Sequence, residues 1–201
     1  MEKTSTLIEY FESLDRALVL AVNQCYSPFL DQFMWLISGK LTWIPLYLVL
    51  LVLVFKNTSR RNAIVFVFGM IITVALADLF SAQVLKESIA RYRPSHNTEL
   101  TNLLHFHSSG VGEYYRGGLY GFVSNHATNF AAIAVFFGLA FGTQLKRWTV
   151  ALFTILVIVS YSRMYLGVHY LTDILGGWIV GGLFAYLVHT FFYKKLITLE
   201  K

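Results

Sequence analysis

The stretch SRMYLGVHYLTD, residues 162–173, sets an arginine, a histidine and an aspartate into a region otherwise built largely from Leu, Val, Ile and Gly. His169 and Asp173 stand four positions apart, a spacing that places two side chains a turn apart on one face of a helix. A carboxylate there can accept a hydrogen bond from one imidazole nitrogen, fix the tautomer, and leave the other nitrogen as base or nucleophile. Ionisable residues in apolar spans are costly and mark function by default. The pair is therefore read as chemical, and not merely as a tie between two helices.

Two further clusters carry matching chemistry. Lys86–Pro94, KESIARYRP, brings Lys86, Arg91 and Arg93, and Arg163 lies six residues before His169. Several cations around one histidine suit a dianion, and arginine forks match phosphate oxygens two at a time. Val123–Ala127, VSNHA, adds Ser124 and Asn125 as donors at the start of an apolar run, where a helix N-terminus already favours an anion. His126 then has a use as proton donor to a leaving oxygen while His169 attacks phosphorus, and afterwards as the base that activates water. Nothing resembles a carboxylate cluster or a His-x-x-x-His metal spacing, so metal-independent hydrolysis with no cofactor is expected. His105 and His107 are two candidate ligands without a third, and are read as solvated loop residues.

These residues need a scaffold, and the composition names its solvent. Of 201 residues 56% are hydrophobic and only 13% charged, where a soluble domain carries about 25% charged residues. The expected fold is all-α, a polytopic membrane bundle of five to six transmembrane helices in a single domain over residues 1–201. Apolar runs fall at roughly 41–55, 62–85, 126–142, 148–166 and 169–192. Residues 28–39 are too short and polar to span alone, but could complete a sixth, irregular crossing with what precedes them. Residues 4–24 place Leu7, Tyr10, Phe11, Leu14 and Leu18 opposite Glu9, Glu12 and Asp15, which reads as an amphipathic helix at the membrane surface. The start of the chain lacks a basic, apolar lead with a small-residue cleavage site, so it is read as retained.

Basic residues in short loops stay on the cytoplasmic side. Lys56, Arg60 and Arg61, then Lys146 and Arg147, then Lys194, Lys195 and Lys201 alternate onto one face. The three chemical clusters then meet on the opposite, outer face. The net charge of +5 is spread between apolar runs and forms no basic block, which argues against nucleic acid. The lone Cys25 excludes an intramolecular disulfide. In GGWIVGG, Gly177 and Gly181 lie one turn apart and permit close helix approach. Asp78 lies inside the second span with Asn129 as a possible partner, and no role is assigned to it.

In this order, the three clusters resemble the type 2 phosphatidic acid phosphatase superfamily, with its signature K-x6-R-P, then P-S-G-H, then S-R-x5-H-x3-D. Lys86–Pro94 matches the first motif in full, and Ser162, Arg163, His169 and Asp173 match the third in full. VSNH keeps Ser124 and His126 of the second, but has Val123 for the proline and Asn125 for the glycine. The resemblance implies His169 as nucleophile, Asp173 as its orienting partner and His126 as general acid, with Lys86, Arg93, Ser124, Asn125 and Arg163 binding phosphate. Arg91 lies outside the signature and is given a supporting role. The family includes phosphatases of phosphatidic acid, phosphatidylglycerophosphate, polyprenyl diphosphates and lipid A. A lipid phosphate or diphosphate phosphatase of the bacterial inner membrane, its site facing the periplasm, is thus implied, working on a phosphorylated membrane lipid through a phosphohistidine. A non-catalytic headgroup-binding or transport protein is the alternative, which has no need of a nucleophile and a proton donor.

Overall fold

The computed structural model describes residues 2–198. In chain order its helices are α1 Glu2–Asn23, α2 Pro28–Ser38, α3 Ile44–Asn57, α4 Arg60–Leu79, α5 Lys86–Ile89, α6 Asn125–Phe141, α7 Lys146–Tyr165, α8 Leu171–Val188 and α9 Lys194–Thr198. π-helical turns at Phe80–Leu85 and His189–Tyr193 join α4 to α5 and α8 to α9. Two short strands, β1 Ser108–Gly110 and β2 Glu113–Tyr114, pair antiparallel in the long connection before α6. Local chemistry sets the boundaries. Ser27 accepts the Leu30 N–H at the start of α2, with Pro28 just inside, and Ser59 accepts the Asn62 N–H at the start of α4.

By length and composition, Arg60–Ile89, Lys146–Tyr165 and Leu171–Ile197 are each able to cross a membrane. Pro28–Ser38 with Leu41–Asn57 would make a fourth crossing, bent by 73°. That accounts for three or four of the five to six helices expected, because α3 and α6 have only 14 and 17 residues, below the roughly 20 that a span needs. Residues 28–38 thus join the helix that follows them, and not α1 as expected. The break at Gly39 and Lys40 is held by Trp43, whose indole N–H donates to Ile37 O.

Short as it is, α6 forms the centre of the bundle, with Ala127, Thr128, Ala131, Ala132, Phe136 and Phe137 buried. It packs most closely against α8, and the reason is the glycine stripe. A Cβ at Gly181 would lie 2.1 Å from Thr128 O, and one at Gly177 would lie 2.9 Å from Ser124 O. Only hydrogen fits there, so the two backbones meet. Away from the three clusters, the bundle is closed by a core including Val54, Phe66, Phe137, Phe141, Leu152 and Tyr193. The basic residues Lys56, Arg60, Lys146, Arg147 and Lys195 belong to the helix ends there, while Lys201 lies outside the described residues.

The first helix forms as expected, with its apolar face exposed and part of its polar face docked on the bundle. Leu7, Tyr10, Phe11 and Leu14 are exposed, whereas Asp15, Val19 and Asn23 are buried. The nominally polar side carries the contacts. Asn23 Nδ2 donates to Tyr165 O at 2.7 Å and His105 O at 2.8 Å, and its Oδ1 accepts the His105 N–H. The two loop histidines are likewise engaged. His105 stacks on Tyr26 and lies 3.0 Å from Asp31, and His107 stacks on Trp35, so they dock the long connection onto α1 and α2.

Replacement of Gly181 tests the α6–α8 contact. Gly181→Val should lower unfolding stability in detergent by at least about 2 kcal/mol, the scale of overpacking, and shift the melting temperature down. An unchanged melting temperature would mean that the helices separate at no cost.

Candidate active site

The structure places His169 in the turn between α7 and α8, after Gly167, which has φ +68°. The expected shared helical face is therefore not what pairs it with Asp173, since Tyr170 is the N-cap of α8 and His169 precedes the helix. Capping does the pairing. Asp173, third residue of α8, turns its carboxylate back so that Oδ2 accepts the Tyr170 N–H at 3.0 Å. The same Oδ2 lies 3.4 Å from His169 Nδ1, in contact but not aligned as a hydrogen bond, and among the described residues Nδ1 has no other partner. Asp173 Oδ1 accepts from Arg91 Nη1 at 2.9 Å.

On the other edge of the ring, Arg93 Nη1 lies 2.8 Å from His169 Nε2. A guanidinium only donates, so Nε2 is the acceptor and the ring proton sits on Nδ1, toward Asp173. The lone pair of Nε2 thus points at the cations. Arg93 is fixed by Nε donating to Tyr120 O at 3.0 Å and Nη1 to Val168 O at 3.1 Å. Gly117, at φ +67°, lets the loop pass over this guanidinium, where a Cβ would lie 3.1 Å from Nη1. Burial, then the charge of Arg163, pulls Arg93 down to about 10, still protonated at neutral pH. Burial first, then the positive charges of Arg93 and Arg163, holds His169 well below the ordinary histidine range, so the ring is neutral.

Lys86 donates to Asn125 Oδ1, and Asn125 Nδ2 donates to Asp78 Oδ1 at 2.9 Å. Asn129 Nδ2 reaches the same oxygen at 2.8 Å, which identifies the partners of Asp78. The asparagine in place of the motif's glycine thus links Lys86 to Asp78. Ser124 is the N-cap of α6, yet its hydroxyl makes no capping bond and is buried without a partner among the described residues. Its N–H donates to Asp173 O at 3.0 Å, joining the starts of α6 and α8.

His126 Nε2 lies 3.2 Å from Ser38 O, an acceptor, so this nitrogen carries the proton. Arg163 Nη1 donates to the Ser38 hydroxyl and Nη2 to the Tyr115 hydroxyl at 2.8 Å. Ser38, Tyr115 and Asp15 were missed in the sequence because each sits in a different element far along the chain. No local spacing relates Ser38 to Arg163, 125 positions away.

A cleft of about 1060 Å³ brings Lys86, Arg93, Asn125, His126, Arg163 and His169 onto one wall. Ser124 and Asp173 stand behind that wall. Below them the cleft is lined by Tyr47, Leu50, Val54, Phe66 and Phe137. From His126 to Phe137, both lining it, α6 descends about 16 Å at roughly 1.5 Å per residue. Among the described residues no group of three or more His, Cys, Asp or Glu is placed to hold a metal ion.

The chain is similar to known proteins along most of its length. The chain is 35% identical to the lipid A 4'-phosphatase of Porphyromonas gingivalis, over 92% of this chain and 76% of that one. It is 32% identical to the lipid A 4'-phosphatase of Bacteroides thetaiotaomicron, over 96% and 84%. Among solved structures, the transmembrane PAP2 type phosphatidylglycerolphosphate phosphatase from Bacillus subtilis superposes with a TM-score of 0.65 at 25% identity, covering 95% of this chain and 96% of that one. The PAP2 superfamily model matches residues 62–197, a stretch that contains all three motifs, and the chain belongs to the PAP2 superfamily.

Proposed function

We propose that the protein is a membrane lipid phosphatase in which His169 Nε2 is the nucleophile. The observation that carries this reading is the contact of Arg93 Nη1 with Nε2 at 2.8 Å, which puts a lone pair among the cations of the cleft. A phosphate oxygen offered to Arg93 competes for that guanidinium and releases the lone pair toward phosphorus. The N–P bond forms as the P–O bond to the lipid breaks, and His126, which takes up a second ring proton as the phosphate dianion binds beside it, gives that proton to the departing oxygen. His126, now a base, takes a proton from water. The hydroxide attacks phosphorus, the N–P bond breaks, and phosphate leaves with His169 neutral again. Asp173 stabilises the ring while it carries positive charge. Lys86, Arg93 and Arg163, with the Asn125 amide beside them, hold the phosphoryl oxygens in the spread-charge transition state, while Ser124, behind the wall, positions the start of α6 through its N–H to Asp173 O.

The reaction is proposed to need no metal, since these three cations supply the charge stabilisation. The apolar floor of the cleft suits an acyl or polyprenyl chain. Similarity over nine-tenths of the chain to two lipid A 4'-phosphatases makes lipid A the first substrate to test. We also read α3 and α6 as further crossings of a five- or six-span bundle. The basic helix ends then face the cytoplasm and the cleft opens toward the periplasm of the inner membrane.

Phosphate release by the purified protein with chelator present, across lipid A, phosphatidylglycerophosphate, undecaprenyl diphosphate and phosphatidic acid, tests the reading. Release from at least one lipid is expected, together with its loss in His169→Ala. Binding of all four without release from any would instead favour a headgroup carrier. Turnover by folded His169→Ala would remove the nucleophile.

Asp173→Asn should lower kcat by about a hundredfold or more, as when the orienting carboxylate of a histidine is neutralised. Wild-type turnover by that variant would remove the orienting role.

The lowered proton affinity of His169 has a defined sign. The unfolded chain takes up this proton near pH 6.5 and the folded protein only well below it. The site's contribution to stability is thus present above 6.5 and is lost as pH falls toward the folded value. Nitrogen-labelled histidine spectra should show the neutral, Nδ1-protonated ring at pH 6, and a titration centred near 6.5 would contradict the geometry.

A further inference from the structure

We propose that Asp15 and Arg91 are positioning residues for the histidine and aspartate pair: Asp15 anchors Arg91, and Arg91 holds the Asp173 carboxylate against His169. This rests on the reading of His169 as nucleophile and Asp173 as its orienting group. Neither Asp15 nor Arg91 falls on a fixed position of the three motifs, and Asp15 comes from α1, more than 70 residues before the first of them.

The geometry is specific. Arg91 Nη1 donates to Asp173 Oδ1 at 2.9 Å and to Thr172 Oγ1 at 2.6 Å, while Nη2 donates to Asp15 Oδ2 at 2.9 Å. The guanidinium is a rigid planar fork, so two carboxylates on separate nitrogens fix its rotation. Its carbon lies 4.2 Å from the centroid of the Tyr170 ring, which adds a face contact. Asp15 is itself fixed by the Thr172 N–H at 3.1 Å and by the Thr172 hydroxyl. Asp15 and Asp173 are both buried, at 2% and 0% exposure.

Two carboxylates and one guanidinium leave a single net negative charge behind Nδ1 of His169. The cations of the cleft lie on the Nε2 side. As the ring becomes positive on bonding phosphorus, that charge stabilises it from behind. Without Arg91, Asp173 would be a fully buried carboxylate with little to offset its lost solvation. Without Asp15, the guanidinium would lose the contact that keeps it turned from the phosphate side. Burial also distinguishes this tie from the exposed pair of Arg16 and Glu99, which joins the same helix to the same connection.

The test uses the full chain in detergent with dioctanoyl phosphatidic acid as probe, and lipid A should this probe not turn over. Arg91→Gln should lower kcat about ten- to a hundredfold, the cost of misplacing a reacting group by an ångström or less, with KM within about twofold. Arg91→Lys should recover part of the loss, and Asp15→Asn should lower kcat by roughly tenfold. Glu99→Gln should leave kcat unchanged. Added to His169→Ala, Arg91→Gln should cause no further loss, because the two act as a unit. Wild-type kcat in folded Arg91→Lys and Asp15→Asn would overturn the proposal, as would a loss confined to KM or one matched by Glu99→Gln. Should Arg91→Gln fail to fold, the other two variants decide. Activity in His169→Ala would defeat the nucleophile reading itself, whereas inactive His169→Ala beside fully active Asp15 and Arg91 variants would defeat only this inference.

Discussion

Asp173 is fully buried, and its carboxylate is offset by donors on both oxygens. One oxygen takes the Tyr170 N–H and faces His169, and the other takes Arg91. Its backbone oxygen receives the Ser124 N–H. Through those contacts a single residue fixes the start of α8, the turn that carries His169, the start of α6 and the connection after α5. The apolar bundle supplies rigidity, but this carboxylate decides where its polar ends meet.

The glycine stripe on α8 is the complementary constraint. Gly177 and Gly181 bring α6 and α8 to backbone contact, so the two helix starts lie close enough for Ser124 and Asp173 to bond. A wider spacing would carry His126 and His169 apart and leave the cations of the cleft without a common focus. Close packing in lipid thus sets the dimensions of a polar site.

The cleft joins two solvents. Its upper wall carries Lys86, Arg93, Arg163 and two histidines, with Lys40 also on the lining, and its floor is largely apolar. Such a surface is matched in its chemistry by an anionic head joined to an apolar tail. Tyr115 from the long connection and Ser38 from the end of α2 each bond Arg163 and fix its guanidinium in the cleft wall. The break between α2 and α3 therefore belongs to the site as much as to the bundle.

Much of this was legible in residue types and order. Three polar clusters at alternating ends of successive apolar runs, after one, before the next and between the last two, required convergence on one face, because lipid excludes unpaired charge. The glycine spacing announced close helix contact, and Asn129 was recognisable as a partner for Asp78. What the sequence could not determine was how buried polar groups share partners across distance. Asp15 reads as the polar side of an amphipathic helix, since periodicity reports only which residues share a face and not which face is covered. His169 and Asp173 read as helical neighbours because spacing is blind to where a helix begins, whereas the structure pairs them through a cap. Those decisions belong to the tertiary structure: a buried carboxylate takes the nearest donors in space, and in this fold they come from the start of α8 and the connection after α5, for Asp173 and for Asp15 of α1 alike.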